Sequence, residues 1–186
     1  MRWNLPNLLT SLRILLIPVF VLVYYLPFQG ARAACAVLFA VASATDWLDG
    51  FLARRLGQTS HFGAFLDPVA DKLMVAVTLV LLVQDDPHFV FVLPAMVIIG
   101  REIAISALRE WMAHIGERMR VAVTLVAKFK TAVQMTALVL LLYKYPIGLF
   151  PTYVVGLLLL YVAAGLTLWS MFVYLRAAWP AMGAER

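Results

Sequence analysis

Asp46-Trp47-Leu48-Asp49-Gly50-Phe51-Leu52-Ala53-Arg54, then eight residues, Gly63, three residues, Asp67-Pro68-Val69-Ala70 and Asp71, form the strongest local signal in the chain. On a helix, Asp46 and Asp49 share a face at i, i+3, and so do Asp67 and Asp71 at i, i+4. Gly57-Gln58-Thr59-Ser60 reads as a short turn between the two pairs, so the helices lie antiparallel and the four carboxylates converge. Gathered like charges need a cation, and hard carboxylate oxygens suit Mg²⁺ or Mn²⁺. Gly50 and Ala53 keep the same face small enough for a nucleotide to lie against it, and Arg54, one turn beyond Gly50, can clamp a phosphate. Pro68 removes a backbone donor near the start of the second helix of the pair. The alternative is an inward-facing network in which the acids pair with Arg54, Lys72 or Arg101, but four acids on two neighbouring helices exceed what packing needs.

Around this pattern the chain is hydrophobic. Of 186 residues, 64% are hydrophobic and 13% charged, about half the charged share of a soluble domain. A span takes roughly 20 residues, so the length accommodates one domain, residues 1–186, of six transmembrane helices. Loop-like residues at 27–30, 57–60, 85–87, Gly116 and 145–146 divide it into spans near Leu8–Leu26, Ala33–Leu56, His61–Val83, His88–Leu108, Val121–Tyr143 and Leu149–Leu175. Arg2, the apolar run from Ile14 to Leu26 and Ala31-Arg32-Ala33 imitate a cleavable leader, but that run holds Pro18 and is as long as a span. An uncleaved first helix is the simpler reading. Cys35 has no partner and reads as a small packed hydrophobe. The net charge of +5 comes from Lys and Arg scattered among apolar segments, which argues against a nucleic-acid surface.

Thirteen of the fifteen Lys and Arg fall on or near one side of this topology, the side of both termini, the 56–61 turn and the 108–121 loop; Arg32 and Lys144 do not. Short cytoplasmic loops carry the excess of Lys and Arg, so both termini are expected in the cytoplasm. The uncharged runs Ala33–Thr45, Leu73–Gln84, Phe89–Gly100 and Thr131–Tyr143 are twelve or thirteen residues long, roughly 20 Å of helix against the roughly 30 Å of a bilayer core. The spans must therefore take in Asp46, Asp49, Asp67, Asp71, Lys72, Arg101, Glu102, Lys128 and Lys130. Each charge in hydrocarbon costs at least about 2.5 kcal/mol, so these groups face one another or water. The expected fold is an all-α integral membrane protein with six helices around a polar chamber open to the cytoplasm. The first and last spans carry no such charges, and the run from Tyr145 to Leu175 reads as a lipid-facing or packing helix.

Arg101, Arg109, Arg118, Lys128 and Lys130 bring more positive charge than four metal-bound carboxylates and a nucleotide diphosphate require, and a second ligand with a phosphate of its own can use it. Lys128 and Lys130 lie on opposite sides of their helix, and Lys130 is the one assigned to the chamber. On the competing reading Arg109, Arg118 and Arg120 sit in the loop and touch lipid phosphates. His61, His88 and His114 stand near loop ends without metal-ligand spacing, and Trp3, Trp47, Trp111, Trp169 and Trp179 read as interface anchors.

The Asp46–Asp71 pattern resembles the motif of the CDP-alcohol phosphatidyltransferase family at all eight fixed positions, for which a chance match is of order 10⁻¹⁰ per start site. Asn4-Leu5-Pro6-Asn7-Leu8-Leu9-Thr10, the run from Ala64 to Lys72, and Arg101-Glu102-Ile103 through Leu108-Arg109-Glu110-Trp111 extend the likeness, over nearly the whole chain, to the family's bacterial members that use glycerol 3-phosphate. The resemblance implies that Asp46, Asp49 and Asp67 bind divalent metal, with Asp71 close to it and acting as general base. Gly50, Ala53 and Arg54 contact the CDP part of CDP-diacylglycerol, and Asn7 and Thr10 assist. The same likeness, with the surplus of positive charge, assigns Arg101, Arg109, Arg118 and Lys130 to the phosphate of glycerol 3-phosphate. No protein nucleophile is implied: the acceptor hydroxyl attacks the phosphatidyl phosphorus and CMP leaves. A homodimer in the bacterial cytoplasmic (inner) membrane is the further expectation. Inositol phosphate, serine or a phosphatidyl lipid are the alternative acceptors. A small cation-coupled transporter is the reading from another class, and it needs polar groups on both sides of the midplane, whereas these lie on one.

Overall fold

Long apolar runs fold as helix, even across Pro18 and Pro94, because a helix satisfies backbone polar groups within the segment. The computed structural model describes the backbone of residues 5–56, 61–114 and 125–183, and the side chains of 11–45, 69–113 and 129–179. Among these residues there are six helices and no strand: α1 (Leu5–Tyr25), α2 (Ala31–Leu56), α3 (His61–Asp85), α4 (Phe89–His114), α5 (Leu125–Tyr143) and α6 (Thr152–Gly183). All six expected helices are present. Two segments, Phe89–Ala113 and Thr152–Trp179, are long and apolar enough to cross a membrane.

Two boundaries moved outward by more than four residues. α4 continues six residues past the expected Leu108, because Arg109 to His114 carry charge without any helix breaker, and Met112 is buried. α6 runs past Leu175 to Gly183; Arg176-Ala177-Ala178 are good helix formers, and polarity alone does not end a helix. The expected start at Val121 and the turns at 57–60 and Gly116 lie outside the described residues.

The chain forms two compact units, Met1–Leu82 with Leu138–Val154, and Val83–Ala137 with Val155–Arg186. In the first, buried Phe20 and Tyr24 of α1 meet a row on α2 made by Cys35, Phe39 and Ala42, spaced i, i+4, i+7 as one helix face requires. The Cys35 thiol points at the Phe20 carbonyl, 4.0 Å away. Tyr24 joins three helix ends: its hydroxyl donates to the Leu81 carbonyl at 3.0 Å, accepts from Arg32 at 3.0 Å, and its ring lies 4.7 Å below the Arg32 guanidinium. The end of α1, the start of α2 and the end of α3 therefore meet, so α2 runs antiparallel to both neighbours. The α1–α2 turn needs Gly30 at φ +105°, a conformation that side chains disfavour. After α5, Lys144 and Gly148 also take positive φ, Ile147 and Phe150 form a single bridge, and buried Thr152 donates to the Tyr145 carbonyl at 2.7 Å. Leu149, at the tip of that turn, is fully exposed.

In the second unit, Tyr161 of α6 donates to the Val90 carbonyl at 2.6 Å. Further along, Arg101 bonds Ser170 and Arg109 bonds Tyr174. The residue numbers rise together, so α4 and α6 are parallel. Phe91, Ala95, Ile98, Ile105 and Met112 form the buried row of α4, and Leu160, Ala163, Thr167, Tyr174 and Ala178 that of α6. Large apolar side chains such as Met96, Ile103, Leu158, Trp169 and Phe172 point outward, the surface of a protein whose surroundings are apolar.

Candidate active site

The acidic pattern belongs to the first unit. α2 is continuous from Ala31 to Leu56, so Asp46, Asp49 and Ala53 stand at i+4, i+7 and i+11 from buried Ala42 and prolong the register of Cys35, Phe39 and Ala42. Gly50 and Arg54 follow on the same helix. α3 carries Asp67 and Asp71 one turn apart, and Asp71 lies one turn before Val75 and two before Thr78, both buried. Half-buried Asp71 thus belongs to the inner side of α3. The side chains of Asn7, Thr10, Asp46, Asp49, Gly50, Ala53, Arg54 and Asp67 lie outside the described residues, as does Arg118 altogether. Among the described residues no three His, Cys, Asp or Glu come together. The donor set itself, four carboxylates at helical spacing on two antiparallel helices, has the hard-oxygen chemistry that Mg²⁺ or Mn²⁺ takes.

The second unit brings together three of the four residues assigned to the acceptor. Arg101 and Lys130, whose side chains are 10% and 7% exposed, both reach Glu102 Oε1, at 3.0 and 2.8 Å. Arg101 also donates to Ser170 Oγ at 2.9 Å, and its buried Nε has no hydrogen-bond partner. Arg109 donates to the Tyr174 hydroxyl at 2.8 Å. The Tyr174 ring carries two guanidiniums, Arg101 at 5.7 Å and Arg109 at 5.1 Å from its centroid. That aromatic face lets two like charges stand near each other, because its quadrupole attracts both. Arg109 is on α4, not in a loop, which removes the premise of the lipid-phosphate alternative for this residue. Lys130 shares a buried row with Gln134, Ala137 and Leu141 on α5; the Lys128 side chain lies outside the described residues.

Sequence reasoning passed over Glu102, Ser170 and Tyr174 as members of the cluster. For the last two a signal existed: Thr167, Ser170 and Tyr174 make an i, i+3, i+7 polar row in an otherwise apolar segment. His88 sits on an exposed turn beside Asp86, away from any acid cluster among the described residues. Trp169 and Trp179 are exposed, as anchors require, whereas Trp111 is half-buried.

The family model described as CDP-alcohol phosphatidyltransferase matches residues 3–169. Among curated proteins, the chain is 59% identical to one from Pseudomonas fluorescens, over 95% of this chain and 91% of the relative. It is 56% identical to one from Yersinia pestis (strain Pestoides F), over 96% and 97%, and 55% identical to one from Sodalis glossinidius, over 96% of each. All three relatives bear the name CDP-diacylglycerol--glycerol-3-phosphate 3-phosphatidyltransferase. With a family match over most of its length and relatives this similar end to end, the chain belongs to the CDP-alcohol phosphatidyltransferase family.

Proposed function

We infer that this protein transfers the phosphatidyl group of CDP-diacylglycerol to glycerol 3-phosphate, giving phosphatidylglycerophosphate and CMP. The observation that carries this reading is the near full-length likeness to relatives named for that reaction. The cationic cluster of Arg101, Arg109 and Lys130 supports the choice of acceptor. Three cations against one carboxylate, among the described residues, leave two positive charges for a phosphate monoester, which serine lacks.

The chain is a single membrane domain whose six helices cross the bacterial cytoplasmic membrane with both termini inside, around a polar chamber open to the cytoplasm. The supporting evidence is the one-sided distribution of Lys and Arg. Asp46, Asp49 and Asp67, with Asp71 beside them, hold the divalent cation. When bound, Mg²⁺ or Mn²⁺ supplies neutralisation of the pyrophosphate charge. Arg54 pairs with a phosphate of the CDP part, Gly50 and Ala53 leave room for the nucleotide, and Asn7 and Thr10 of α1 assist. Arg101, Arg109, Arg118 and Lys130 orient the acceptor by its phosphate. Asp71 takes the proton of the acceptor hydroxyl as that oxygen bonds to the phosphatidyl phosphorus and the bond to CMP breaks. A base within about 3 Å of the hydroxyl suffices. The working form is a homodimer.

CMP release by the purified protein in detergent, with CDP-diacylglycerol and Mg²⁺ and separate additions of glycerol 3-phosphate, inositol phosphate and serine, tests the assignment. Release that depends on glycerol 3-phosphate and stops with EDTA is the expected result. Release with serine but not glycerol 3-phosphate overturns the acceptor, and none with any acceptor overturns the enzyme reading.

A further inference from the structure

We propose that Glu102 is a built-in counter-ion that occupies the phosphate position of the cationic cluster and is exchanged for the acceptor's phosphate, which makes it a determinant of acceptor affinity and selectivity. This inference rests on the assignment of Arg101, Arg109 and Lys130 to that phosphate. A single oxygen, Oε1, receives both Lys130 Nζ at 2.8 Å and Arg101 Nη1 at 3.0 Å. The two cations are almost fully buried, whereas the Glu102 side chain is 26% exposed. The carboxylate therefore stands on the open side with the cations behind it, and an anion arriving from solvent meets Glu102 first.

Its charge is too small for its place. Among the described residues one carboxylate faces Arg101 and Lys130 directly, with Arg109 held nearby on the Tyr174 ring that Arg101 shares. A phosphate monoester brings a charge of about −1.5 to −2 and three acceptor oxygens at neutral pH, and the buried Nε of Arg101 is a donor still without a partner. A phosphate drawn to Lys130 and Arg101 comes to lie against the Glu102 carboxylate, and the repulsion between the two anions turns the Glu102 side chain away. The backbone has no need to move: the Glu102 carbonyl already accepts from Ser106 Oγ at 2.6 Å within α4. An uncharged acceptor has no anion to exchange for Glu102, and a zwitterion offers only a single carboxylate offset by its own ammonium, so Glu102 disfavours both.

Kinetics of three variants, each with CDP-diacylglycerol and glycerol 3-phosphate varied in turn, test the exchange, with inorganic phosphate as a competitive probe. Glu102→Gln keeps the shape and removes the charge. A partly exposed ion pair contributes up to about fivefold in a binding constant, so the acceptor KM falls by up to that factor. The inhibition constant of inorganic phosphate falls in parallel, and the CDP-diacylglycerol KM stays fixed. Glu102→Asp, too short to hold both cations, shifts the same two constants in the same direction by less, and serves if the Gln variant does not fold. Lys130→Ala separates the two levels of inference, with an acceptor KM expected to rise more than that for CDP-diacylglycerol. If it does, while neither Glu102 variant lowers the acceptor KM or the phosphate inhibition constant, the counter-ion proposal is overturned and the acceptor site stands. If Lys130→Ala moves both substrates equally, the acceptor site falls and the proposal with it.

Discussion

Tyr174→Phe removes one oxygen and leaves everything else in place. That oxygen accepts the 2.8 Å hydrogen bond from Arg109, while the ring beneath both guanidiniums remains. A bond to a charged donor is worth about 1.5–3 kcal/mol, but Arg109 is exposed and water replaces part of it, so about 1 kcal/mol is the working figure. That corresponds to an acceptor KM raised about fivefold. Tyr174→Leu also removes two cation–π contacts of about 0.5–1 kcal/mol each. The sum of about 2–3 kcal/mol predicts a rise of roughly 30- to 150-fold. The assay is the initial rate of CMP release, with glycerol 3-phosphate varied at saturating CDP-diacylglycerol and the reverse. A Phe variant that changes both KM values equally, or a Leu variant no worse than Phe, refutes the claim that Tyr174 holds the arginines for the acceptor.

Asp71→Asn is expected to bind CDP-diacylglycerol normally and to lose about 10²–10⁴-fold in turnover; near-normal turnover in the same assay removes Asp71 as the base. Thr167→Val replaces a buried hydroxyl that lacks a hydrogen-bond partner, so thermal unfolding in detergent should show unchanged or higher stability, and a clear loss means the hydroxyl has a role. Gly30→Ala should destabilise by about 1–2 kcal/mol, through backbone conformation alone. The nearest side-chain atom, on Phe28, lies an ordinary 3.9 Å from the added methyl, and an unchanged melting temperature contradicts this.

The helices were legible because apolar runs between Gly, Pro and Asp turns leave few alternatives, and Gly30 punctuates the chain where the backbone requires it. The ends of α4 and α6 were not, since charge was read as loop where helix propensity continued. The sequence grouped Arg101, Arg109 and Lys130 only by surplus charge; that Lys130 is buried and that the two arginines share the Tyr174 ring came from the structure. Glu102 was hidden by its neighbour, since a carboxylate next to an arginine reads as local compensation. Ser170 and Tyr174 were hidden by the apolar residues around them. The acidic pattern is a register on α2 and α3, and its metal reading stands on the spacing of four aspartates.

The candidate span on α6, Thr152–Trp179, has 28 residues, about 42 Å of helix against roughly 30 Å of hydrocarbon. A helix longer than its membrane adjusts by tilting or by thickening the lipid around it. Ser170 and Tyr174 ride on that helix while the arginines they hold ride on α4. With α6 spanning the membrane as proposed, acyl-chain length becomes a mechanical input: a thinner bilayer that leans α6 further than α4 would strain the Arg109–Tyr174 bond. In vesicles of graded chain length, affinity for a water-soluble substrate becomes a readout of membrane thickness.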